Sequence, residues 1–172
     1  MPGSLVLIDS ETASNSASIV LSGIDSTYDV YMAQLTAIKI DTDNKNMLCQ
    51  VTTSGTADSD SEYDTAYRNM YSNSSFGGGS GTNGTSVTFG HSMGTGTGEL
   101  LNATLYLYNF ANASEHSLFT VESTYLNLTP DLVGIIGAFV HTVDEANDGL
   151  AFTVESSNNF TSGEFRLYGI QN

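Results

Sequence analysis

Gly90-His91-Ser92-Met93-Gly94 matches, letter for letter, the G-x-S-x-G elbow that presents a serine nucleophile in hydrolases. The elbow works because a strand leads into the serine and a helix leaves it, lifting the hydroxyl above a parallel sheet. Here Thr95-Gly96-Thr97-Gly98 follows, and glycine at every second position does not start a helix. His116 and His141 would complete a triad only if the fold carried them to Ser92, and nothing in their spacing does so. The expectation is a chain without a catalytic residue, and not an enzyme.

The other chemical motifs fare similarly. Gly79-Ser-Gly81-Thr-Asn-Gly84 matches G-x-G-x-x-G, but that fingerprint needs a helix N-terminus at the phosphate, and no helix signal follows. Asp58, Asp60, Glu62 and Asp64 stack carboxylates at alternate positions, a type of loop that can hold calcium. No EF-hand loop accompanies them, because Asp41-Thr-Asp43-Asn-Lys45 puts a lysine at the third ligand position, so a solvated acidic loop is expected. His91, His116 and His141 have no His, Cys or carboxylate neighbours at ligand spacing. No cofactor and no metal ligand is expected. Cys49 alternates with Met47 and Val51, which reads as a buried thiol, and a lone cysteine allows no intrachain disulfide.

Charge narrows the partners. Nineteen acidic residues face four basic ones (Lys39, Lys45, Arg68 and Arg166) in 172 residues, a formal charge of −15. Binding to nucleic acid or to an anionic membrane requires clustered Lys and Arg, so neither is expected as a partner. No apolar run approaches the roughly 20 residues of a membrane span. Met1 to Asp9 lacks the basic start and long apolar core of a secretory signal, which predicts a protein made and soluble in a cytosol.

The elements that would carry any site read almost entirely as strands. Leu5 to Ile8 is a short apolar run, and Ala17, Ile19 and Leu21 alternate with serines. Between Asp29 and Asp41, Val30, Met32, Ile38 and Ile40 share one predicted face, and Tyr31, Ala33, Leu35 and Ala37 the other. Leu101, Ala103, Leu105 and Leu107 are predicted inward, with Asn102, Thr104, Tyr106, Tyr108 and Phe110 outward. Phe119, Val121 and Tyr125 oppose Thr120, Glu122 and Thr124, and Leu132 to Val143 is a further apolar run. Leu150, Phe152 and Val154, then Phe165 and Leu167, predict a closing hairpin turned by Asn158, Asn159, Ser162 and Gly163. The one helical turn expected is Glu62 to Tyr71. Residues 72–98, rich in Gly, Ser, Thr and Asn, read as a long loop. The resulting expectation is a single all-β domain over residues 1–172, an antiparallel β-sandwich of jelly-roll-like type.

Aromatic rings on the polar side of strands mark protein interfaces or sugar-stacking platforms, unless a second layer covers them. Tyr31, Tyr106, Tyr108, Phe110, Arg166 and Tyr168 are the candidate interface residues on this ground.

Three segments carry a resemblance: Ile24-Asp-Ser-Thr-Tyr28 with its following strand, Tyr106-Leu-Tyr-Asn109-Phe, and the ending Gly163-Glu-Phe-Arg-Leu-Tyr168-Gly-Ile. Together they resemble a group of small all-β virion proteins of tailed bacteriophages that close on F-x-L-Y-G-I. Asp25 stands where the group has a proline. The resemblance implies a location on the virion surface after synthesis in the host cytoplasm. It also implies a homo-oligomer, often a trimer, whose partners are other virion proteins of the capsid or tail. The function implied is a capsid decoration protein. The alternative is a tail or fibre tip that uses residues 72–98 and exposed tyrosines to attach to a host receptor or glycan.

Overall fold

The computed structural model describes Ser4 to Gln171; Met1 to Gly3 and Asn172 lie outside the described residues. Thirteen strands follow one another in this stretch. The first seven are β1 (Ser4–Ala13), β2 (Ser18–Ser22), β3 (Val30–Ile40), β4 (Lys45–Thr53), β5 (Thr56–Ala57), β6 (Tyr63–Tyr71) and β7 (Phe76–Gly84). The rest are β8 (Val87–Met93), β9 (Leu101–Tyr108), β10 (His116–Leu126), β11 (Leu132–Asp144), β12 (Gly149–Val154) and β13 (Phe160–Gln171). The only helical element among the described residues is a 3-10 turn at Glu155–Ser157.

The strands form two antiparallel sheets packed face to face. One runs β1-β13-β3-β9-β10-β11-β6-β7, and the other runs β2-β12-β4-β5 with β8 also paired to β4. Four strands of the first (β1-β13-β3-β9) and four of the second (β2-β12-β4-β8) reproduce the strand order of a jelly roll, the chain alternating between sheets. Two insertions, β6–β7 and β10–β11, widen the first sheet to eight strands.

Alternation sets the core. Leu101, Ala103, Leu105 and Leu107 of β9, Phe119, Val121 and Tyr125 of β10, and Leu150, Phe152 and Val154 of β12 are all buried, as their period of two requires. Cys49 is buried as well. In β3 the core-facing set is Tyr31, Ala33 and Leu35, then Ile38 and Ile40, while Met32 is buried on the opposite face. The register shifts between Leu35 and Ile38, and Ala37 has φ of 54°, so a bulge transfers Ile38 and Ile40 to the inner face. That is why neither of the two faces expected from strict alternation is the observed one.

Three further expectations are corrected. Residues 72–98 are not a loop: β7 pairs with β6 and β8 with β4. Glycine is required in β7 because a Cβ on Gly79 would lie 2.7 Å from the Tyr67 hydroxyl, and one on Gly78 would lie 2.5 Å from the Tyr67 carbonyl. The expected helical turn at Glu62 to Tyr71 is instead strand β6 from Tyr63 onward, because this segment completes backbone pairing between β11 and β7. The closing segments are not a hairpin, since β12 and β13 belong to different sheets and the chain crosses between them at 155–159. Ser162 and Gly163, predicted as turn residues, lie inside β13 at a register shift.

Candidate functional site

Outward residues of the eight-stranded sheet line up in rows fixed by register. One row reads Leu7, Tyr168, Met32, Tyr106, Thr120, Ala138, Ala66 and Ser80, crossing every strand without a charge. Beside it run Arg166, Gln34, Thr104, Glu122, Ile136 and Arg68. On the other side lie Val30, Tyr108, Leu118, Val140 and Asp64. Ile136 is 54% exposed and Leu118 44% exposed in the middle of this face. Adjoining depressions along it are lined by Tyr106, Thr120, Glu122, Ile136, Ala138 and Leu118. Two of the four basic side chains of the chain, Arg68 and Arg166, stand here, and Arg166 pairs with Glu164. A chain of charge −15 thus has one broad face that is crossed by an uncharged row and nearly balanced in charge.

The fold sorts the candidate interface residues. Tyr106, Tyr108, Arg166 and Tyr168 share this outer face. Tyr31 and Phe110 do not: each is 2% exposed. Tyr31 points into the core, where its Oη accepts from the Asp25 amide at 3.0 Å and lies 2.9 Å from the Asp25 carbonyl oxygen. Phe110 follows Asn109, whose φ of 64° ends the alternation of β9 and turns the ring inward against Phe119.

Ser92 lies in β8 and leads into Gly94 to Gly98, with no helix after it. His116 and His141 are held elsewhere, by Asp144 and Asp58. His91 stacks on Tyr67 with ring centroids 4.9 Å apart, and its Nε2 is buried without a hydrogen-bond partner. Burial holds its pKa below the ordinary histidine value of about 6.5. As pH falls below that value, the unfolded chain takes up a proton that folded His91 refuses, so stability declines with acidification. His91→Phe keeps the stacking and removes the titration. Thermal scans between about pH 7.5 and about pH 5 are expected to show a shallower loss of Tm in this variant than in the parent, and parallel curves would refute the assignment.

A second cluster was invisible to local spacing. The segment after β5 carries Asp58 and Glu62 to His141 at the end of β11. His141 Nε2 lies 3.0 Å from Asp58 Oδ2 and 3.4 Å from Glu62 Oε2. Glu145 joins them, with one ligand atom each from Asp58, His141 and Glu145 within 4.8 Å of one another. Asp58, Asp60 and Glu62 form an overlapping trio. Asp64, the fourth carboxylate of the alternating stack, accepts the Asn83 amide instead.

Burial pushes Asp58 up, but the Asp60 amide and the His141 imidazole outweigh it and hold the carboxyl below its ordinary range. Glu62 is raised, first by burial and then by the Asp58 charge. The carboxylate half of this cluster was legible as an acidic stack; its histidine lies 83 positions further along the chain. No protein-family model matches this chain, and no curated protein matches it.

Proposed function

We propose that this chain is a structural protein of a bacteriophage virion, an accessory capsid protein that works by non-covalent assembly through the outer face of its eight-stranded sheet. The observation that carries the assembly reading is the uncharged row crossing all eight strands, flanked by Ile136, Tyr108 and Leu118. Copies of a −15 chain repel one another, and this face is where two copies approach with least like charge and most apolar area to bury. The occupant of the face is therefore a second copy of the chain. The virion setting is supported by the resemblance of Gly163 to Ile170 to the closing strand of tailed-phage surface proteins.

Light scattering on the purified chain is expected to give an oligomer. Leu118→Asp combined with Ile136→Asp places two charges on the face, and this variant is expected to run as a monomer with an unchanged circular dichroism spectrum. A parent chain that is monomeric and does not co-sediment with capsid shells would overturn the proposal. The alternative, a tail or fibre tip binding a host glycan, is supported by the same exposed Tyr106 and Tyr108. Residues 72–98 contribute strands to it, not a free loop. A glycan array separates the two readings.

A further inference from the structure

Two carboxylates, Asp58 and Glu62, reach the Nε2 edge of an imidazole that carries at most one proton there, and the Glu145 carboxylate stands next to Asp58 and His141. If His141 Nε2 donates its hydrogen to Asp58 at 3.0 Å, Glu62 at 3.4 Å and Glu145 receive nothing from it. The ring is fully buried and its Nδ1 has no hydrogen-bond partner, so the carboxylate side alone orients it through hydrogen bonding. We infer that this cluster is a binding site for a divalent cation of the zinc class, ligated by His141 Nε2, Asp58 and Glu145 with Glu62 alongside.

The geometry suits such an ion. Metal–ligand bonds of about 2.0–2.2 Å place the ligand atoms of a tetrahedral site roughly 3.3 Å apart. His141 Nε2 lies 3.0 Å from Asp58 and 3.4 Å from Glu62, and Glu145, within 4.8 Å of the Asp58 and His141 ligand atoms, closes on the ion by a small side-chain movement. The donor set selects the metal: imidazole nitrogen suits zinc and its neighbours, whereas calcium takes oxygen ligands.

The ligands are also braced from behind, as metal ligands usually are. Glu145 Oε1 accepts from Thr53 Oγ1 at 3.0 Å and from Asn147 Nδ2 at 2.9 Å, and Asn147 is in turn held by buried Ser117. Asp58 Oδ1 accepts the Asp60 amide at 2.8 Å, and the Asp58 carbonyl accepts from Tyr63 Oη at 3.0 Å. The Glu62 carbonyl accepts from both the amide and the hydroxyl of Thr142, next to His141. The bound ion would tie β11 to the segment between β5 and β6, as a structural site and not a catalytic one.

The test uses the whole chain, stripped with a chelator and titrated with zinc chloride by calorimetry. The expected result is one zinc per chain and a Tm rise of roughly 5–10 °C at a hundredfold excess over Kd. Calcium at the same concentration leaves Tm unchanged. Asp58→Asn and Glu145→Gln are each expected to weaken zinc binding at least about tenfold, and Thr53→Val, which removes only a brace, by about tenfold. Should Asp58→Asn fold poorly, Glu145→Gln and Thr53→Val carry the comparison. His116→Gln removes the exposed His116–Asp144 pair and is expected to leave affinity unchanged. The inference is overturned by absence of stoichiometric zinc binding, by calcium matching zinc, or by binding lost in His116→Gln while Asp58→Asn and Glu145→Gln retain it.

Discussion

Phe152→Ala is expected to cost about 3–5 kcal/mol of folding stability, a large share of the roughly 5–15 kcal/mol that holds a domain together. Phe152 is fully buried in β12, between β2 and β4, and its ring reaches across the sandwich. It meets Phe165 of the opposite sheet at 5.3 Å between centroids and Phe89 of β8 edge-on at 6.4 Å. Phe160 meets Phe165 edge-on at 5.3 Å, so four rings form one continuous bridge between the sheets. Alanine leaves a cavity that neighbours on paired central strands cannot close, because their backbones are fixed by ladders on both sides. Urea denaturation should show a lowered midpoint with an unchanged slope, and thermal scans a Tm lower by roughly 6–20 °C. A loss under about 1 kcal/mol would mean that the sheets can slide together, and the bridge would not be what fixes their spacing.

Tyr63→Phe is expected to cost about 2–4 kcal/mol although it removes a single oxygen. Tyr63 is fully buried on β6 of the wide sheet, and its hydroxyl accepts the Val51 amide of the other sheet at 3.0 Å. The same hydroxyl donates to the Asp58 carbonyl at 3.0 Å. Phenylalanine leaves the amide of a fully buried residue without its partner and releases the segment that carries Asp58. Urea denaturation measures the stability loss, and calorimetry with zinc should show weaker binding than in the parent. Unchanged stability would show that Val51 and Asp58 find other partners. Lost stability with intact zinc affinity would separate the Tyr63 anchor from the cation cluster.

How far the sequence reached can be argued residue by residue. Period-two burial at Leu101 to Leu107 and at Phe119 to Tyr125 was legible because a strand's side chains must alternate between core and solvent. It failed at Ile38 and at Phe110, where Ala37 and Asn109 adopt positive φ. A one-residue bulge or turn reverses every later position, and Ala37 in particular carries no local signal for it. It failed also at β7, because strand propensity measures side-chain packing, and Gly77 to Gly84 joins the sheet through backbone pairing under the Tyr67 ring.

For the sites, composition and short-range periodicity determined that the chain is acidic, rich in strands and carries a single buried thiol. These are properties of residue type and short-range order, and they survive any arrangement of the strands. That Tyr31 and Phe110 turn inward depended on the core packing around them, and that Arg68 shares a face with Tyr106, Tyr108, Arg166 and Tyr168 depended on the two insertions that widen the jelly-roll sheet. The gathering of Asp58, Glu62, His141 and Glu145 likewise depended on β6 lying beside β11. Register between strands far apart in the chain is set by long-range hydrogen bonding and core packing, so only the tertiary structure could decide it.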